Sequence, residues 1–254
     1  FALASFEHIP PDLRGDTCIE DLINWGFEKS GVSAAEKMRL FNAEKRGIIG
    51  DIANAAAYYT ALAIGVQNSL KYFDGSVELL RDLHHKGAKH YITSAVDQEI
   101  LDRWKETEQG KAISDYLCEI LGSRSGFQKG RDHFAYIQSQ EVTRIYYIAD
   151  AISEIKSGSE CQDCGVIPVG FANVVTGERV MEAFERFRQA KPRIDAKPLY
   201  QAEISTVNLE RLYLPNVSRL ESDLTQAGAK VVVSGTKQDI MQNLRNYLVK
   251  EGIL

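Results

Sequence analysis

Residues 145–154 read Ile145-Tyr-Tyr-Ile-Ala-Asp-Ala-Ile-Ser-Glu154, an apolar stretch that stops on an acid. Thr143–Ala149 reads as an apolar β run, and Ser153–Ser159 as a short helix after it. An acid set directly behind a Tyr-Tyr-Ile strand must face solvent or a cation, because burying it alone is costly. Upstream, Gly75–Lys86 is amphipathic, with Val77, Leu80 and Leu83 on one helical face and Gly87 as the stop. Ala88–Ser94 follows as a short strand, His90-Tyr-Ile-Thr93 at its centre, with helix expected from Asp97 and again over Gly130–Gln138. Downstream, Val166–Phe171 reads as a strand. Past Pro215 come a helix to Gln226, a strand Lys230–Ser234 and a last helix Lys237–Lys250. Helix and strand alternating in this order predict a parallel sheet with right-handed crossovers.

The two ends of this rhythm are different. Phe1-Ala-Leu-Ala-Ser-Phe6 reads as a short buried strand closed by Pro10-Pro11, since proline cannot continue a central ladder. Residues 16–70 carry helical spacing only: Ile19, Leu22, Ile23 and Phe27 recur at helical intervals, and Asp51 suits an N-cap for the alanine-rich helix Ile52–Leu70. Residues 172–215 fit the rhythm poorly. Gly177–Ala190 reads as an amphipathic helix through Val180, Phe184 and Phe187, and Pro192 and Pro198 bracket a loop. The expected fold is α/β, a doubly wound parallel sheet. Residues 1–15 and 71–254 form the core, residues 16–70 an inserted helical unit, and residues 172–215 an unassigned insertion.

The chain has 254 residues, enough for a large α/β core with a subdomain, and 44% hydrophobic content, ordinary for a globular protein. A net charge of −5 argues against nucleic-acid and acidic-membrane partners, which want a basic surface. No apolar run reaches the ~18–20 residues that a membrane helix needs. Four cysteines, Cys18, Cys118, Cys161 and Cys164, are too few for a disulfide scaffold, so a reduced, cytoplasmic compartment is expected. The opening residue is Phe1, which reads as a trimmed or processed start.

Open parallel sheets place ligands at the carboxyl ends of their strands. The residues there are Ser5 and Glu7 after the first expected strand, Ser94 after the second, and Asp150 and Glu154 after the Tyr-Tyr strand, with Lys129 in a loop before a helix. A hydroxyl, a lysine and paired acids are what a phosphate with Mg²⁺ requires.

In their order these segments resemble the haloacid-dehalogenase (HAD)-like superfamily. The run Gly75 to Ser94 resembles the segment leading to its second motif, with Ser94 at the Ser/Thr position and Thr93 the runner-up. Gly122-Ser-Arg-Ser-Gly-Phe-Gln-Lys-Gly-Arg-Asp-His133 resembles the third-motif region, with Lys129 at the lysine. Ile145 to Glu154 resembles the fourth motif, with Ala149 for its glycine and Glu154 for its second aspartate. Ala227 to Ser234 resembles the last strand, and residues 16–70 stand where the family inserts a helical cap. The resemblance implies phosphate binding by Ser94 and Lys129, and Mg²⁺ ligation by Asp150 and Glu154. At the first motif, where the family has Asp-x-Asp, the register gives Ser5-Phe-Glu7. The alternative frame Asp12-Leu-Arg-Gly-Asp16 follows Pro10-Pro11 too closely for a buried strand.

A serine at the nucleophile position implies loss of the aspartyl-phosphate step and weaker Mg²⁺ binding. The expectation is therefore a pseudo-phosphatase that binds a phosphorylated small molecule or a protein partner. An active Mg²⁺-dependent phosphomonoesterase with a rearranged site is the alternative, and substitution of the original aspartates is a third. Cys161-Gln-Asp-Cys164 lacks the second pair that zinc needs and reads as ordinary thiols. Arg179, Arg186, Arg188, Lys191 and Arg193 read as a solvated basic face.

Overall fold

The computed structural model describes residues 1–15, 17–45, 48–66, 71–173, 175–189, 207–214 and 216–254. The expected loop at Pro192 and Pro198, and the end of the expected helix past Val66, lie outside the described residues. The chain divides into two compact units, Phe1–Ser69 with Val175–Leu214, and Leu70–Val174 with Pro215–Leu254.

Every regular element described in the first unit is helical. The unit opens with α1 (Ala2–Glu7), α2 (Ile19–Glu28), α3 (Ala34–Lys45) and α4 (Ile52–Val66). The first of these corrects the reading of Phe1–Phe6 as a strand. Residues 1–8 contain no β-branched side chain, and Ala2, Leu3 and Ala4 are strong helix formers. The buried positions Leu3, Ala4, His8 and Ile9 recur at helical spacing. Residues 1–15, expected in the sheet core, thus belong to the helical unit. Its core gathers Leu3, Ile9, Leu22, Trp25, Met38, Phe41, Tyr58 and Leu62, with Trp25 and Phe41 edge to face at 5.5 Å.

The second unit is α/β. It contains, in order, α5 (Ser76–His85), β1 (Tyr91–Asp97), α6 (Gln98–Lys105), α7 (Glu108–Ser114), β2 (Glu119–Ser123), α8 (Arg131–Ser139), β3 (Ile145–Ala149), α9 (Ile152–Ser159) and β4 (Val166–Asn173). The helix α10 (Gly177–Gln189) returns to the first unit, packing on α4, and its Phe184 joins that core. The second unit then finishes with α11 (Val217–Gln226), β5 (Val231–Gly235) and α12 (Ile240–Lys250).

All strand pairings in this unit are parallel, as the alternation of elements predicts. They form two sheets rather than one: β1 with β2, and β3-β4-β5. Of the strands expected as neighbours, residues 143–149 and 166–170 pair as expected, whereas the one near 88–94 sits in the other sheet. Helices clothe both faces of the three-stranded sheet. Phe134, Ile155 and Leu224, from α8, α9 and α11, cover one side. Leu79, Leu83, Ile240, Leu244 and Leu248, from α5 and α12, meet Val169 and Val233 on the other. Gly158 lets α9 come close to β3, since a Cβ there would stand 2.9 Å from the Tyr147 ring. Among the described residues no helix is long and apolar enough to cross a membrane.

Candidate functional site

The carboxyl end of β3 carries a cluster of polar side chains. Alternation along β3 puts Tyr147 on the face covered by α8, where its ring meets Phe134 edge to face at 4.8 Å. Asp150 comes one residue past the strand, and α9 places Glu154 one turn further. Lys129 sits in the loop before α8, and its Nζ donates to Glu154 Oε1. The two side chains are only 16% and 18% exposed, so the pair is largely withdrawn from water. The Tyr147 hydroxyl donates to the other carboxylate oxygen of Glu154 at 3.4 Å. The Thr93 side chain of β1 lies near the Tyr147 hydroxyl. Burial and the Glu154 carboxylate together push the Tyr147 phenol well above its ordinary pKa, so it stays a donor.

Asp150 keeps contact with solvent, yet the protein crowded round the strand end still strips water from its carboxylate. That desolvation, reinforced by the Glu154 charge and opposed by Lys129, raises its pKa. Two acids and one lysine within one cluster leave a single negative charge unmatched.

Ser94 takes a different place from the one expected. It lies inside β1 rather than at its end. Its Oγ accepts from the Val96 N–H at 3.1 Å, a local turn contact. The strand is irregular there. Thr93 opposes Leu121 and Asp97 opposes Ser123, so residues 94–96 face Gly122 alone across the pair. Gln98 fills in for the broken ladder: its Oε1 accepts from the Gly122 N–H at 2.6 Å and its Nε2 donates to the Ile120 carbonyl at 3.1 Å. Gly122 must be glycine for this, since a Cβ would meet the Gln98 backbone at 2.7 Å. Buried His133, from α8, donates through Nε2 to the Gly122 carbonyl at 3.2 Å, and burial lowers its pKa. Thr93, the runner-up in the sequence, is thus the β1 hydroxyl near the cluster, beside Tyr147.

Ser5 and Glu7 are not strand-end residues, which corrects their assignment to the nucleophile and acid/base positions. They lie on α1 in the helical unit. Ser5 is fully buried and its hydroxyl has no partner. Glu7 lies near the Tyr58 hydroxyl, its Oε2 has no hydrogen-bond partner, and burial raises its pKa. Their burial follows from helix packing.

The structure therefore brings together Lys129, Asp150 and Glu154, adds Tyr147 and Thr93, and leaves Ser94 in a neighbouring bulge. Tyr147 was missed in the sequence. The available signal was its place two residues ahead of Ala149 on one face of the strand, where a buried phenol needs a partner. No known family model, curated protein or solved structure matches this chain.

Proposed function

We propose that the second unit is the doubly wound core of a HAD-like protein, that the helical unit serves as its cap, and that it binds a phosphorylated small molecule at the Thr93–Lys129–Asp150–Glu154 cluster without forming an aspartyl phosphate. The observation that carries the reading is the buried Lys129–Glu154 pair beside Asp150 at the carboxyl end of a parallel strand. An arriving oxyanion competes with Glu154 for the Lys129 ammonium, and the bulged backbone of residues 94–96 lies on the strand that carries Thr93. Desolvation and the Glu154 charge raise the Asp150 pKa, which lessens its repulsion of an anion toward acidic pH.

Ser5 no longer supports loss of activity, because it is not at a strand end. Among the described residues no third metal-ligating side chain joins the two carboxylates of the cluster. Mg²⁺ fits these residues only in part. Asp150 is available to it, while Glu154 is engaged by Lys129 and Tyr147. One carboxylate with water and phosphate oxygens holds the ion weakly. Active phosphomonoester hydrolysis would need a further carboxylate at the same strand ends. Among the described residues β1 and β3 each have one edge without a strand partner, and that is where such a carboxylate would stand.

Thermal unfolding in rising phosphate tests the binding. A ligand that binds only the folded state stabilises it by about 2.7 kcal/mol at a hundredfold excess over Kd. The parent should show a rise in Tm, and Lys129→Ala should lose most of it. An equal rise in Lys129→Ala would assign the effect to nonspecific ion action and overturn the proposed site.

A further inference from the structure

We propose, resting on the phosphate reading, that Arg124 holds a second anionic group of the ligand whose phosphate lies at Lys129. The favoured ligands are then short phosphate esters with another oxyanion, a carboxylate or a phosphate, at their far end.

Arg124 follows β2 directly and opens a tight hairpin. Its N–H donates to the Phe127 carbonyl at 2.9 Å, and the Phe127 N–H donates back to the Arg124 carbonyl at 3.0 Å. Gly126 takes the left-handed conformation, φ 71°, that closes the turn. The Gln128 side chain also donates to the Arg124 carbonyl, at 2.6 Å, and the Gln128 N–H donates to Asp132 Oδ2 of α8 at 2.8 Å. These bonds fix the chain from Arg124 to the first turn of α8, with Lys129 inside the fixed stretch.

The Arg124 side chain is held as well. Its guanidinium lies over the Phe127 ring, 4.7 Å from the centroid. That ring packs on buried His133 at 4.7 Å and edge to face on Tyr136 at 6.0 Å. Stacking occupies one flat face of the guanidinium and leaves its N–H edge open. Among the described residues that edge has neither a hydrogen bond nor an ion pair, although Asp97 stands opposite Ser123, one residue before Arg124. Arg103, Arg131, Arg219 and Arg245 of the same unit each meet a carboxylate. An exposed arginine held by an aromatic ring, with no acceptor in the chain, is preorganised for an acceptor on a ligand.

Electrostatics gives it a task at the same site. Burial lowers the His133 pKa most, and the Lys129 and Arg124 charges both add to that, so the two cations act on one ring. Lys129, Asp150 and Glu154 leave one negative charge unmatched, which weakens their hold on an anion, and Arg124 offsets it. Its planar fork donates parallel N–H bonds to a carboxylate or to two phosphate oxygens, a match that a neutral hydroxyl on the ligand lacks.

Calorimetric titration compares three probes: propyl phosphate, its terminal-carboxylate analogue (phosphonooxypropionate) and the bisphosphate of trimethylene glycol. The two probes with a second anion should bind at least about tenfold more tightly than propyl phosphate, the gain expected of one charge-assisted contact. Their order relative to each other assigns the far group as carboxylate or phosphate. Arg124→Gln should erase the advantage, change propyl phosphate binding little and keep the parent's Tm, because the side chain is exposed. Lys129→Ala should weaken all three. Equal affinities for the three probes, or an advantage that survives Arg124→Gln, would overturn the role of Arg124 and leave the phosphate site standing. Absence of binding by every probe, or binding indifferent to Lys129→Ala, would overturn the phosphate reading and the role of Arg124 with it.

Discussion

The Lys129–Glu154 pair makes the site's electrostatics measurable. Replacing Lys129 by methionine keeps the stem and removes the charge, leaving the Glu154 carboxylate with only Tyr147 as donor. Exposed pairs contribute about 0–1 kcal/mol, whereas breaking a fully buried pair costs roughly 3–5 kcal/mol. At 16% and 18% exposure this pair lies between those limits. Lys129→Met should therefore destabilise the second unit by about 2 kcal/mol. Removing both charges, as Lys129→Met with Glu154→Gln, should recover roughly half of that loss, because no buried charge is left alone. Urea titrations of the parent, both single variants and the double variant complete the cycle. Trp104 on α6 reports the second unit and Trp25 on α2 the first, so separate transitions can be assigned. A coupling below about 0.3 kcal/mol would mean that the pair is only a surface contact, and the electrostatic account of the site would be wrong.

Three further outcomes are expected. Asp150 has a raised folded pKa, so the folded state binds more protons than the unfolded chain between the ordinary carboxylate range and that pKa. Stability should fall as pH rises through this window, and sulfate, which does not titrate there, should bind more tightly at its acidic end. Asp150→Asn should flatten both slopes in a Tm-against-pH series, and slopes that persist would place the titrating group elsewhere. Ser5→Ala should leave sulfate binding unchanged and raise stability by about 1 kcal/mol, since it removes a buried, unpartnered hydroxyl from a helix; lost sulfate binding would restore Ser5 to the site. Phe134→Ala removes a fully buried ring that fixes Tyr147 and should cost about 3–5 kcal/mol in urea unfolding, a loss under 1 kcal/mol arguing against the described packing.

Much of the second unit was readable from its residues. The apolar run ending on Asp150 gave β3, and the alternation around it gave parallel pairing for β3, β4 and β5. Lys129, Asp150 and Glu154 were singled out because each stands at the end of an element whose period is clear. Phe1–Phe6 failed because a six-residue apolar run has no decisive period, and its lack of β-branched residues was the signal that decided for helix. Glu119–Ser123 was overlooked for the same shortness: two apolar residues between Glu119 and Gly122 do not announce a strand. The displacement of Ser94 into a bulge could not be read locally, because the Gln98 amide that replaces the ladder bonds acts across the strand pair.

Backbone amide NMR of the chain titrated with sulfate tests the proposed site most directly. Shifts should concentrate at residues 93–96, 128–130 and 150–154, saturate together, and vanish in Lys129→Ala while the remaining spectrum keeps its dispersion. Shifts spread over the surface, or centred on the basic face around Arg179 and Arg186 with none at Lys129 or Asp150, would contradict an anion site at the carboxyl end of β3.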